Sequence, residues 1–224
     1  MTSTTTPTKQ RRIRTWSPSQ VSEREFKQLL ITERFQKLIG FPSPNFCSII
    51  YGKAKSGKSS FSLQLAQELA PFGKVLYISS EELISKTLQD RIRLNKINHP
   101  KIRLAGVRSI DDIETLVRRL HPRFIFIDSV QICGIKLKDF DRLKNKVFKN
   151  RKSWHLISQT TNSGKMMLSQ PWVHETDIKI EVNHGFAVAE GRFNPTGQMT
   201  VFEKLTGQDL FHQGAAPMHA VSSN

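Results

Sequence analysis

The octapeptide Gly52–Ser59, GKAKSGKS, matches G-x-x-x-x-G-K-[ST] at every fixed position. Chains carrying this loop need a strand before it and a helix after it, and both are present. SIIY (48–51) is a short apolar run, and 58–70 places Phe61, Leu65, Ala66 and Leu69 at helical spacing before Pro71 and Gly73. Gly52 and Gly57 permit a loop whose amides turn inward around a phosphate. The cradle comprises Gly52, Lys53, Ala54, Lys55, Ser56, Gly57, Lys58, Ser59 and Ser60. Lys58 is placed to reach the β- and γ-phosphates and the Ser59 hydroxyl to ligate Mg²⁺, with the helix dipole adding to the anion site. Lys53 and Lys55 either add positive charge or face solvent.

The remaining pattern alternates apolar runs with helical stretches. VLYIS (75–79), Ile102–Val107, RFIFID (123–128) and WHLISQ (154–159) read as strands. Residues 82–95, 111–120 and 139–152 read as the intervening helices. DIKIEV (177–182), FAVAE (186–190) and QMTVFE (198–203) are spaced as antiparallel hairpins. The fold class expected is α/β, a mainly parallel sheet flanked by helices and extended by C-terminal antiparallel strands.

The 224 residues suit one domain, read as 21–211, between a basic arm at 1–20 and a loose tail at 212–224. The sequence holds no run of about 18 apolar residues, which argues against a membrane span and a membrane partner. Cys47 and Cys133 stand alone, so a disulfide framework and a zinc cluster are excluded and a cytoplasmic setting is expected. Lys+Arg exceed Asp+Glu by 34 − 19 = 15, which points to a polyanionic partner, nucleic acid first.

Three acidic residues complete the chemistry. Asp128 ends RFIFID, where a carboxylate enters the crevice at the carboxyl end of a parallel sheet and can hold Mg²⁺. Glu81 and Glu82 follow VLYISS, where a carboxylate orients and deprotonates an attacking water. The same pair equally suits acids that favour a helix N-terminus.

Together these residues resemble the RecA superfamily, most closely the core of bacterial RadA-type (Sms) repair ATPases and KaiC-like proteins. VLYISSEE resembles the segment where those families place catalytic glutamates, and FIDSVQ (126–131) resembles their Walker-B strand. WVHETD (172–177) and GRFNPTGQMTVFE (191–203) resemble late segments, the second containing the family's K-N-R-F-G signature. The resemblance implies a RecA-like ATPase core that uses ATP and Mg²⁺, without the family's zinc finger and protease-like domain. It makes Glu81 and Glu82 a catalytic pair and Gln159 a γ-phosphate sensor at a strand end. Arg192 matches the signature Arg, which would act on a neighbouring subunit's nucleotide; the signature Lys falls at Glu190, an inverted charge.

In such assemblies the loops at about 130–140 and 160–171 line a channel for single-stranded DNA, here with Lys136, Lys138 and Lys165. Residues 136–152 hold eight Lys/Arg against Asp139 and Asp141, a run that otherwise reads as a solvated helix face. The function expected is a Mg²⁺-dependent, DNA-stimulated ATPase assembled head-to-tail, as a hexamer or filament, on single-stranded DNA. Its setting would be recombination, repair or replication, with proteins of those processes as further partners. The alternatives are a ring helicase or helicase-loader motor, and a nucleotide-switched scaffold that hardly hydrolyses. A small-molecule kinase is disfavoured, since the late strands leave little room for a mobile lid and an acceptor pocket.

Overall fold

A computed structural model describes residues 14–161 and 163–202. The tail read at 212–224 and most of the arm read at 1–20 lie outside them. Chain order is α1 (Pro18–Ser22), α2 (Glu33–Ile39), β1 (Ser48–Gly52), α3 (Lys58–Leu69), β2 (Val75–Ser79), α4 (Lys86–Leu94) and β3 (Ile102–Ala105). It continues with α5 (Ile110–Leu120), β4 (Phe124–Asp128), α6 (Leu137–Asp141), β5 (Ser153–Gln159), α7 (Gln170–His174), β6 (Ile178–Asn183), β7 (Phe186–Gly191) and β8 (Gly197–Thr200). A single eight-stranded sheet has the order β3-β2-β4-β5-β1-β6-β7-β8. The six strands from β3 to β6 are mutually parallel, and β7 and β8 add antiparallel pairs, as the alternating pattern predicts.

The central strands are buried on both faces because their apolar residues have no polar alternation. On one face Ile50, Tyr77, Phe124, Phe126 and Ile157 pack with Phe35, Phe61 and Leu65 from α2 and α3. On the other, Ile49, Leu76, Ile125, Ile127 and Trp154 pack with Ile113 and Val117 of α5 and Phe140 of α6. The pleat therefore assigns successive residues of one strand to two separate cores.

Three helices differ from the sequence reading. α4 begins only at Lys86, because the Ser85 side chain accepts from the Leu88 amide and caps it there. Glu81 and Glu82 consequently lie in an irregular turn, and Leu83 has a left-handed φ of 56°. The basic helix starts at Leu137, continues as a π-helical segment Arg142–Val147 and stops before Lys149 and Asn150, both at positive φ. α2 is a further helix that packs Phe35, Leu38 and Ile39 beneath the late strands.

His155 lies fully buried in the middle of β5. Its Nδ1 is 2.8 Å from Ser48 Oγ, its Nε2 is 3.2 Å from Ser153 Oγ, and its ring stacks on Phe126 at 4.4 Å. Burial lowers its pKa to about 3, so the folded protein holds the ring neutral. The unfolded chain then binds the extra proton below the ordinary value of 6.5, and stability falls as pH drops from there toward about 3. Urea unfolding across that window should show this loss, and His155→Gln should flatten the pH dependence.

Candidate functional site

The carboxyl ends of β2, β4, β5 and β1 lie side by side, and each delivers one element of a cleft of about 900 Å³. From β1 the chain enters the glycine loop. A Cβ on Gly52 would lie 2.1 Å from the Val182 carbonyl oxygen, and Gly57 has a φ of 106° that disfavours other residues. Lys55 also takes a left-handed φ of 60°. The Ser56 hydroxyl is buried in the glycine loop without a protein hydrogen-bond partner, an orphan polar group beside the cleft that its residue lines. Lys58 folds back so that its Nζ donates to the Lys53 carbonyl at 2.7 Å. Burial lowers its pKa, opposed by the charges of Asp128 and Glu81.

Asp128 is buried at the end of β4, and the peptide bond that follows it is cis. Burial pushes its pKa up, while hydrogen bonds from the Ser59 and Tyr77 hydroxyls pull it down. The Tyr77 hydroxyl donates to Oδ2 at 2.8 Å, and the amides of Ser80 and Glu81 donate to the Asp128 backbone carbonyl. Ser59 and Asp128 thus form a hydroxyl–carboxylate pair of the oxygen chemistry that Mg²⁺ takes. The orphaned Ser56 hydroxyl, the Lys58 ammonium and this pair together fit a Mg²⁺–phosphate group.

The two glutamates separate. Glu82 is held by Arg91 of α4 through two parallel hydrogen bonds, at 2.6 and 2.8 Å, which occupy both carboxylate oxygens. Among the described residues, the Glu81 carboxylate is hydrogen-bonded only by the Gln159 amide, whose Nε2 lies 3.3 Å from each oxygen. Gln159 ends β5 and also anchors the next loop, since its carbonyl accepts from the Met167 amide at 3.0 Å.

The other residues singled out in the sequence lie elsewhere. Arg192 follows β7 at the opposite end of the sheet, where it pairs with Asp177 at 3.1 Å. Glu190 pairs with Lys179 of β6 at 2.7 Å. Lys136 and Lys138 are exposed on the segment after β4 and Lys165 on the segment after β5, and none of the three lines the cleft. The cleft also holds residues with no local signal. Phe202 brings its ring against Gly57, and Arg34 donates to Gln64 Oε1 at 2.8 Å and to the Thr200 carbonyl at 2.7 Å. Gln64 in turn donates to Asn95 Oδ1 at 2.7 Å. Phe202 is the one aromatic ring among the described residues lining the cleft, a face suited to a planar base.

No protein-family model matches the chain. In sequence it is 25% identical over 195 residues to DNA repair protein RadA of Streptococcus pneumoniae, covering 78% of this chain and 46% of that one. The RadA of Streptococcus pyogenes serotype M1 is also 25% identical, over 185 residues, 73% of this chain and 40% of that one. The chain thus spans less than half the length of these curated relatives. In fold it is similar to the flagellar accessory protein FlaH of Methanocaldococcus jannaschii, with a TM-score of 0.55 at 15% identity, covering 77% of this chain and 93% of that one. Sequence and fold together support a RecA-superfamily P-loop ATPase core.

Lys58→Ala should weaken binding of a fluorescent ATP analogue more than tenfold, the loss of a charge-assisted contact of about 1.5–3 kcal/mol. Phe202→Ala should give a smaller loss in the same titration.

Proposed function

We propose that the chain is a Mg²⁺-dependent ATPase of the RecA/RadA type that binds single-stranded DNA and acts in recombination, repair or replication. The observation that carries this reading is the convergence of Lys58, Ser59, Asp128 and Glu81 on one cleft at the ends of adjacent strands. The names of the RadA relatives supply the DNA context.

Triphosphate binding draws the Lys58 ammonium from the Lys53 carbonyl onto phosphate oxygens, while the loop amides and the N-terminus of α3 surround the same charge. Ser59 and Asp128 would hold Mg²⁺, which would neutralise charge on the phosphates. Glu81 has both carboxylate oxygens available except for the Gln159 amide, so it orients the attacking water and takes its proton. Glu82 does not share this task, because Arg91 holds both of its oxygens in a bidentate pair; it braces the turn that carries Glu81. Arg192, at the far end of the same subunit, acts on the nucleotide of a neighbour in a head-to-tail assembly. Lys136, Lys138 and Lys165 contact the DNA backbone from the segments next to the cleft.

Glu81→Gln should lower ATP turnover by about 10²–10⁴-fold while ATP binding persists. Glu82→Gln should instead lower thermal stability and reduce turnover less. Equal losses from the two variants in a steady-state assay would remove the division of roles.

Single-stranded oligonucleotide should raise the turnover of the wild-type chain at low salt, and the stimulation should fade as salt rises. ATP binding without any stimulation would favour the nucleotide-switched scaffold. The Lys179–Glu190 pair, which neutralises the charge-inverted signature position within the chain, speaks for that second reading.

A further inference from the structure

At the end of the sheet opposite the cleft, four neighbouring strands begin with a cation. Lys101 precedes β3, Lys74 precedes β2, Arg123 precedes β4 and Lys152 precedes β5, in the order in which those strands lie in the sheet. The backbone ladder runs through these residues. The Val75 amide donates to the Lys101 carbonyl, the Arg123 amide to the Lys74 carbonyl, and the Ser153 amide to the Arg123 carbonyl. With strands about 4.8 Å apart, the row extends some 14 Å across three intervals. Beside it, Lys74, Lys101, Arg103 and Arg119 line a second cleft of about 280 Å³ that no carboxylate enters.

The charge of this row is not neutralised within the chain. Among the described residues none of the six cations forms an ion pair, whereas eight other Lys and Arg do. Their partners are neutral carbonyls: Lys101 donates to Pro71 at 3.1 Å, Arg103 to Pro100 at 2.6 Å, Arg123 to Pro44 at 3.3 Å and Lys152 to Pro122 at 2.7 Å. Those bonds steady the side chains and leave their positive field intact. Burial and the adjacent Arg123 together lower the pKa of Lys152, the mark of like charges held close. Arg119 lies in the last turn of α5 and answers that helix dipole. The four strand-leading cations lie in no helix, so the dipole does not account for them.

We propose that this row is a second polyanion site whose ligand is the phosphodiester backbone of nucleic acid. The proposal deepens the DNA-binding reading above and places a contact surface on the face away from the nucleotide. A line of charges at regular intervals matches a polymer that repeats its charge, whereas a single phosphate calls for donors that converge on one point. The row presents backbone-directed cations and no stacking ring, so recognition should be independent of base sequence.

The test compares wild type with the variant Lys74→Gln/Lys101→Gln/Arg103→Gln, three exposed positions. Binding of a labelled oligonucleotide, single-stranded in one arm and duplex in the other, is read by fluorescence anisotropy across a salt series. Loss of three phosphate contacts should lower the slope of log K against log salt by about 2 for a single strand or about 3 for a duplex. Affinity near 0.1 M salt should fall on the order of tenfold or more. The form whose slope change comes closer to its own expected value, about 2 for the single strand or about 3 for the duplex, is the one that contacts all three positions. Unchanged slope and affinity in both arms overturn the proposal, as does a variant that loses only binding to poly-glutamate. Two controls separate this outcome from failure of the ATPase reading. The triple variant should bind the fluorescent ATP analogue as wild type does, and Lys58→Ala should retain oligonucleotide binding. A Lys136→Gln/Lys138→Gln/Lys165→Gln variant reports on the other end of the sheet in the same assay.

Discussion

Asp128 is a carboxylate that the fold has taken out of water, and the cleft is organised around the cost of doing so. Removing an isolated carboxylate from solvent is expensive, and burial indeed raises the pKa of Asp128. The compensation comes from three elements at once: the Ser59 hydroxyl from the start of α3, the Tyr77 hydroxyl from β2, and the charge of Arg91 from α4. Tyr77 pays in turn, since burial and the neighbouring Asp128 push its own pKa far up and keep the hydroxyl a donor. A sheet order that placed β2 beside β4 was needed before this set could form at all.

How much of this was legible in the sequence depended on how local each determinant is. The glycine loop, Asp128 and the parallel strands are written in contiguous residues, because a strand buried on both faces must be a continuous apolar run. Apolar spacing over Leu83, Leu88 and Ile92 suits a helix starting at 82, four residues before α4 begins at Lys86. The Ser85 cap and the left-handed Leu83 overrule that spacing. The separation of Glu82 from Glu81 depends on Arg91, nine residues away, and two adjacent glutamates are indistinguishable without it. Arg34, Gln64 and Phe202 reach the cleft from three distant parts of the chain, and their approach follows only from the packing of α2 under β8. The short helices α7 and α2 are equally hidden, being defined by tertiary burial of Trp172 and Phe35.

The surplus positive charge is not spread evenly, and its distribution follows from the topology. Every strand of the parallel set points its carboxyl end toward the cleft, so residues that precede those strands must collect at the other end. A Lys or Arg before each of four strands is unremarkable as sequence, because the four positions are 27, 22 and 29 residues apart along the chain. Folding turns that dispersed set into a line. Acidic residues are sorted by the same rule: Glu81 and Asp128 lie at carboxyl ends, within reach of Lys58, where their charge is used. Asp177, preceding β6, falls at the amino end beside the cationic row and is already taken by Arg192 and the Cys47 amide.

Gln159 connects the cleft with the segment that follows β5. Its side chain holds Glu81 and its backbone carbonyl holds Met167, while Thr160 pairs with Met166 and the Thr161 amide donates to the Lys165 carbonyl at 2.8 Å. The turn bearing Lys165 is thus hydrogen-bonded back onto the strand that ends in Gln159. The grip on Glu81 is weak by comparison, two contacts of 3.3 Å from one amide, against the bidentate Arg91 clamp on Glu82. Any group that competes for the Gln159 amide or the Glu81 carboxylate meets the softest contact in the site first.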